Sequence, residues 1–417
     1  MPKERFIELI AKAALFGLLV LFTFSAPLKC PAADNIAGMF KEGSARGELM
    51  LYSFSQTFEQ EGNTERFSDK NDNIAGTLFY YQTAELKGIS FGFGYGSADN
   101  FYSDDDKYED RALRPGHKGL NRFVDAYIQG NWFDTAIKYG IQQLYTPLAN
   151  PDPGRVLPKT FKGLTVVNRS IKDLELHAYY ITEFADWADD DFKSISQYIN
   201  PSADKEALLV GGLKYNLRSD VVNLFTEAFA YNLDNFFNAG YISVNFEKQF
   251  NDVVASFKPS YVKQKSTGDE FMGSIDTYEA GFETGVTYKG FNVTGYYAQT
   301  GDDSYETPWG FGRIIKTEEF ISGLIPNQKV YAISSSYDFS RIGLNGLYGK
   351  IHYTTFDNDG NASNGDQFEY QAIYDFGKEF KSLEGLSLNI MYTDMRNDDS
   401  SDVSRLHIRL KYAFSIL

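Results

Sequence analysis

Residues 404–417 read S-R-L-H-I-R-L-K-Y-A-F-S-I-L, and from Arg405 to Tyr412 they alternate strictly between two chemistries. Leu406, Ile408, Leu410, Tyr412, Phe414 and Ile416 share one face of a period-two strand, while Arg405, His407, Arg409 and Lys411 share the other. A face with no polar residue, backed by a row of cations, is the pattern of a transmembrane β-barrel strand. Lipid lies on one side of such a strand and water on the other.

The other end of the sequence predicts export. Lys3 and Arg5 precede an apolar run from Ala13 to Phe24, followed by small residues at Cys30-Pro-Ala-Ala33. That is the build of a secretory signal peptide, expected over residues 1–33 with cleavage after Ala32 or Ala33. The run is shorter than the roughly 20 apolar residues of a spanning helix. Lys29 disrupts the pattern expected of a lipoprotein at Cys30, the one cysteine in the sequence, so the mature chain has no disulfide framework and no Cys-based metal site. The net charge is −16, and residues 1–33 carry +2 of it, which leaves −18 on the mature chain. An acidic chain of this kind is not expected to bind nucleic acid. With 35 Phe and 29 Tyr but no long apolar stretch after residue 33, the composition fits a barrel with aromatic girdles rather than a helical bundle.

No linker or change of period divides the sequence after Arg46, so residues 34–417 are expected to form one all-β domain. Strand-like segments alternate with two kinds of connection. Tight ones are expected at Glu85-Leu-Lys-Gly88, Gly130-Asn131, Arg169-Ser170, Arg218-Ser-Asp220, Asn251-Asp252, Lys289-Gly290, 338–341 and 378–385. Long acidic or Gly/Asn-rich ones are expected at 58–71, 97–119, 143–160, 182–205, 232–238, 265–275, 301–327, 355–364 and 396–403. Strict alternation gives about eighteen antiparallel strands with loops on one side and turns on the other. Tyr278, Ala280, Phe282, Thr284, Val286 and Tyr288 oppose Glu279, Gly281, Glu283, Gly285 and Thr287. Phe368, Tyr370, Ala372, Tyr374 and Phe376 oppose Gln367, Glu369, Gln371 and Asp375. Phe133, Ile137, Tyr139 and Ile141 oppose Asp134, Lys138 and Gly140. Two segments are ambiguous: residues 221–231 mix the faces, and residues 343–353 slip register.

Energetics orient the charges. An Arg or Lys facing lipid near the midplane costs roughly 2–4 kcal/mol. Several on one strand would consume the ~5–15 kcal/mol by which a domain is stable. Arg405, His407, Arg409 and Lys411 are therefore expected to face the lumen, spaced roughly 7 Å apart. Parity places Lys138, Lys214, Lys258, Lys350 and Arg46 inward as well. Two readings of these cations stay open. Low-dielectric walls would focus their field and draw anions along them, or they would pair with inward Glu279, Glu283, Glu369 and Asp375 and stiffen the lumen.

Residues 142–160 hold Pro147, Pro151, Pro153 and Pro158, none of which suits a central strand. Folded into the barrel, this loop would narrow the lumen and present Asp152, Arg155 and Lys159 to a passing solute. The segment Leu148-Ala-Asn150, then Arg155-Val-Leu-Pro-Lys-Thr-Phe-Lys-Gly163, then 174–180, resembles the signature of the OprD-type outer-membrane porin family. The R-x-L-P-x-T-F-x-G core carries most of that resemblance, which extends in character over the mature chain. It implies an eighteen-stranded barrel, an inward-folded third loop, and a ladder of lumen-facing basic residues that passes small, mostly carboxylate-bearing solutes. By the same resemblance Arg155 sits at the constriction, and Arg405, Arg409 and Lys411 are rungs. Two departures stand out: an inserted Pro-Asp-Pro-Gly before Arg155, and Leu417 where such barrels commonly end in an aromatic, with Tyr412 and Phe414 nearby.

Catalytic patterns are weak. Gly88-Ile-Ser-Phe-Gly92 matches G-x-S-x-G but opens an alternating strand rather than the strand–turn–helix a nucleophile elbow needs. His117, His177, His352 and His407 form no metal-binding spacing, and His177 and His352 fall on the inner face. Asp357-Asn-Asp-Gly-Asn361 lacks the sharp-turn glycine of a calcium loop at Ala362. Asp104–Asp106, Asp189–Asp191 and Asp398-Asp399 read as loop tips, with divalent bridging to lipid phosphate a weaker alternative. The expectation is a substrate-preferring diffusion channel in a bacterial outer membrane, without catalysis or cofactor, monomeric or trimeric, whose partners are small-molecule solutes and lipid. The alternatives are a general porin without chemical preference, and a structural or adhesive barrel with a plugged lumen.

Overall fold

Period two is realised as long strands in the computed structural model, which describes residues 32–60, 69–310, 312–315, 317, 322–359, 362–399 and 401–416. All but the last two residues of the expected signal peptide lie outside that description. The strands are β1 (Ser44–Gln60), β2 (Lys70–Gln82), β3 (Ile89–Asn100), β4 (Leu120–Trp132), β5 (Thr135–Gln142), β6 (Thr160–Asn168) and β7 (Leu174–Ala185). After the two-residue β8 (Lys193–Ser194) come β9 (Leu208–Leu217), β10 (Asn223–Leu233), β11 (Phe237–Phe250), β12 (Val253–Ser266) and β13 (Asp276–Tyr288). The chain then runs through β14 (Phe291–Thr300), β15 (Lys329–Asp338), β16 (Leu347–Asp357), β17 (Gly365–Asp375), β18 (Leu386–Asn397) and β19 (Ser401–Ser415).

Each strand pairs antiparallel with the next, β7 with β9, and β1 with β19 in register from Arg46↔Ser415 to Gln60↔Ser401. The result is a closed ring of eighteen strands, with β8 a spur on β7. Closure leaves no unpaired edge in hydrocarbon, where an unmet backbone group is costly. The outer face is apolar: Leu49, Leu51, Ile137, Tyr139, Ile351, Tyr370 and Ile390 are all exposed.

Loops and turns fall on opposite ends as expected, with three corrections. The turn placed at Gly130-Asn131 is at Phe133-Asp134, whose φ values of 51° and 56° make a mirror-image hairpin turn. Phe133 is thus a turn residue, 95% exposed, and not part of a strand face. The expected long loop at 232–238 shrinks to residues 234–236, because Leu233, Phe236 and Phe237 bury inside the barrel and pull the hairpin tight. Likewise β18 ends at Asn397 and β19 starts at Ser401, so 396–403 is mostly strand.

Both ambiguous segments have physical causes. In β10, Phe229, Tyr231 and Leu233 are buried on the inner face, against loops that fill this side of the lumen. Residues 343–346 are not strand at all. They follow a 3₁₀ turn at Phe339–Ile342, and Gly346 (φ 83°) leads into β16.

Candidate functional site

The proline-rich loop spans the lumen. At one end, Leu148 and Ala149 are buried with Tyr231 and Trp309, and the Leu148 amide donates to the Tyr231 hydroxyl at 3.2 Å. At the other end, Val156 and Leu157 are buried with Tyr52, Phe54 and Ile74. Tyr231 is on β10 and Tyr52 on β1, about half a circuit apart in the eighteen-strand ring. Eight extended residues reach roughly 27 Å, enough for the crossing. The wall is shaped to receive it, since a Cβ on Gly96 would come within 2.6 Å of Leu157, and one on Gly76 would collide with Val156.

The three loop charges do not face open water. Arg155 is ion-paired with Asp110, and its Nε donates to the Asp110 carbonyl at 3.0 Å. Lys159 lies 3.3 Å from Asp152 and 3.6 Å from Asp186. The side chains of Asp152, Arg155 and Lys159 are 3%, 8% and 6% exposed. All three, expected to present themselves to a solute, are enclosed by partners instead. Loops 101–119 and 186–207 fold over them and supply Asp110 and Asp186, while Asp152 and Lys159 pair within the crossing loop, and a buried charge is tolerated only when paired. Trp187 is the hub of this lattice. Its indole N–H donates to the Asp152 carbonyl at 2.6 Å, and Lys159, Arg155 and Arg111 lie 4.2, 5.1 and 5.2 Å from its ring.

Asp186 gathers three partners: Arg111, Lys159 and the Tyr198 hydroxyl, which donates at 2.7 Å. Burial alone would raise its pKa, but Lys159 and Arg111 outweigh it and hold the carboxyl below its usual range. In the neighbouring loop, His117 bonds Asp72 at 3.1 Å through Nδ1 and the Lys107 carbonyl at 2.8 Å through Nε2. Burial pulls His117 down, yet these partners push it above its ordinary value overall. Asp110, Asp186 and Trp187 escaped the sequence reading because their partners are remote in sequence. An acid-rich loop reads as solvated until another loop is known to lie against it.

The β19 row faces inward as parity requires, and its members differ. Arg405 donates to Gln56 at 2.9 Å, and Lys411 lies 3.3 Å from Glu48 with its side chain 32% exposed. Arg409 donates to the Gly154 carbonyl of the crossing loop at 2.9 Å and lies 5.0 Å from the Tyr52 ring. Among the described residues, Arg409 makes no ion pair. His407, expected as a rung, is enclosed between Tyr52 and Phe54, with Nδ1 2.9 Å from the Tyr52 hydroxyl. Its short ring cannot extend past those aromatics as the longer Arg side chains do.

The lysines expected elsewhere on the wall also point inward, and most follow the pairing alternative. Lys214 meets Glu227 at 3.1 Å and the Tyr145 carbonyl at 3.0 Å; Lys258 meets Glu283 at 2.8 Å; Lys350 meets Glu369 at 3.0 Å. Lys138 lies 4.1 Å from the Tyr127 ring, and Arg46 lies 4.5 Å from that of Tyr80. Ser90 of the G-x-S-x-G match is a buried inner-face residue opening β3. His177 and His352 are buried on the inner face.

The described residues between 301 and 328 also enter the lumen. Tyr305 and Trp309 join the cluster around Leu148, and the Asn150 amide donates to the Trp309 carbonyl at 3.3 Å. Buried Glu279 on β13 accepts from the Ile314 amide at 3.4 Å and from the Ser322 hydroxyl. Arg313, which lies 4.2 Å from the Tyr305 ring, is a lumen cation the sequence reading missed, because no strand parity applies within a loop.

Residues 124–416 match the family described as outer membrane porin, OprD family. No curated protein sequence matches the chain. Among solved structures, it is similar to Pseudomonas aeruginosa OpdK with vanillate (TM-score 0.80, 15% identity) and to OccK9 (OpdG) of the same species (0.79, 17%). It is also similar to OccAB2 of Acinetobacter baumannii (0.78, 17%). In each case 91% of this chain and 100% of the other are covered. At such identities these likenesses establish the fold.

Proposed function

Since the chain belongs to the OprD family of outer membrane porins, we propose that this bacterial outer-membrane channel prefers small carboxylate-bearing solutes and moves them along the β19 cations. A porin of this family is a passage and not an enzyme. The observation that supports the preference is Arg409. It is a guanidinium on the inner wall, bonded to the loop that crosses the lumen, with no carboxylate partner among the described residues. A fixed cation without a counter-ion attracts anions, and low-dielectric walls strengthen the attraction. Its bonds to a solute carboxylate replace water bonds, so binding stays weak enough for release. Arg405 continues the row in one direction, and Lys411, its field weakened by Glu48 at 3.3 Å, continues it in the other. The paired lysines Lys214, Lys258 and Lys350 tie neighbouring strands of the wall together and contribute little net field. Lys138, Asp152, Arg155 and Lys159 act by fixing the shape of the passage.

The test is solute flux in reconstituted vesicles with Arg405, Arg409 and Lys411 replaced by Gln. Carboxylate flux should fall well below that of neutral solutes of equal size, whereas equal losses would remove the ladder. The depth of packing around loops 143–159, 186–207 and 301–328 favours a second reading, a plugged barrel. Planar-bilayer recording separates the two, since a plugged barrel gives no current steps.

A further inference from the structure

Beside the basic row lies a patch of a different character. Thr393 on β18 stands directly opposite Arg405 on β19. Glu369 on β17 stands opposite Thr393, and His352 on β16 stands opposite Glu369. All point inward, so one cross-strand row continues from the guanidinium across three more strands. Thr354 and Gln367 form the next opposed pair on the same face. His352, Thr354, Gln367 and Thr393 are at most 3% exposed.

Five polar atoms here have no hydrogen-bond partner among the described residues. They are both ring nitrogens of His352, the hydroxyls of Thr354 and Thr393, and the Oε1 of Gln367. Buried polar atoms are nearly always satisfied, so a concentration of exceptions marks a place where something else bonds. The chemistry of the set names that partner. A neutral imidazole offers one donor and one acceptor, each threonine hydroxyl offers both, and an amide oxygen accepts. The bordering Lys350–Glu369 pair is internally neutralised at 3.0 Å. Mixed donors and acceptors without net charge suit a hydroxyl or a carboxamide, which donates and accepts, whereas an acceptor-only carboxylate would leave the acceptors unmet.

We propose that His352, Thr354, Gln367 and Thr393 form a subsite for a hydroxyl or carboxamide group of a solute whose carboxylate rests on Arg405. This rests on the carboxylate reading above. Opposed residues on neighbouring strands lie roughly 5 Å apart, so the best-fitting solutes carry the hydroxyl two or three bonds from the carboxylate. Arg405 and Lys350, both partly exposed, border the patch and connect it to the solute path.

The experiment compares flux of 3-hydroxybutyrate, butyrate and the neutral, poorly lipid-permeant erythritol through wild type, Thr393→Val and His352→Phe, all checked for folded barrel by circular dichroism. Thr393→Val is isosteric, His352→Phe keeps a planar ring at a modest gain in volume, and both remove hydrogen bonding. Wild type should pass 3-hydroxybutyrate faster than butyrate, and each variant should lower that ratio about fivefold while butyrate flux holds. An unchanged ratio would overturn the subsite and leave only structural water there. Parallel loss of both carboxylates would overturn it too, as general damage to the wall. Failure of the underlying reading shows separately, as no preference of wild type for butyrate over erythritol.

Discussion

Arg409 and Asp186 illustrate how one side chain acquires a role from its surroundings. Arg409 has the Gly154 carbonyl and the Tyr52 ring but no counter-ion among the described residues, so Arg409→Gln alone should lower anion-over-cation permeability, read as a shifted reversal potential under a salt gradient. The shift should shrink as salt rises, because mobile ions screen the fixed charge. Asp186 stands at the other extreme, enclosed by Arg111, Lys159 and Tyr198. Removing one member of a buried pair leaves the other charge uncompensated, at a cost of about 3–5 kcal/mol. Asp186→Asn should therefore loosen the 143–159 crossing, seen as faster proteolysis of that loop and noisier single-channel current. The pH sign follows from the depressed pKa. The contribution of Asp186 is present above its unfolded value of 3.8 and is lost as pH falls through its lower folded value. Current noise in wild type should accordingly rise in acid. His117 runs the opposite way: its raised pKa gives support that is complete below 6.5 and lost as pH rises through the folded value.

Among the elements, the crossing loop governs the size of the passage. Its apolar ends, Leu148-Ala149 and Val156-Leu157, are anchored on walls about half a circuit apart, while its middle carries Gly154 to Arg409. Deleting residues 151–158 should raise single-channel conductance several-fold and weaken the solute preference, while the eighteen-strand wall, paired independently of the loop, still assembles. An unchanged conductance would mean that the loop does not narrow the conducting path. The inner face of β10 explains why this could not be read locally. Phe229, Tyr231 and Leu233 would look misplaced in a water-filled barrel, and they are there because loops pack against them.

For the whole molecule, closure of β1 on β19 and an apolar outer face make detergent or lipid a requirement of folding. Purified mature chain should give a strand-dominated circular dichroism spectrum in detergent and precipitate when detergent is removed. A helix-rich spectrum would contradict the barrel. Because the ring is closed by pairing between residues more than 340 positions apart, assembly should be slow and cooperative, with no stable half-barrel on limited proteolysis.

Alternation in residues 404–417, and its repetition upstream, determined the barrel, the strand number and which charges face inward. These follow from period two and the cost of a charge in lipid, both local to a strand. The R-x-L-P-x-T-F-x-G run and its flanking segments likewise pointed to the family that the match over residues 124–416 shows. Only the tertiary structure decided which inward cations keep a field. Whether Lys258 meets Glu283, whether Arg155 is enclosed by Asp110, and whether His407 sinks between Tyr52 and Phe54 depend on side chains from strands and loops distant in sequence. Parity gives a side chain its direction, but its charge becomes available to a solute only when no neighbour across the lumen neutralises or covers it.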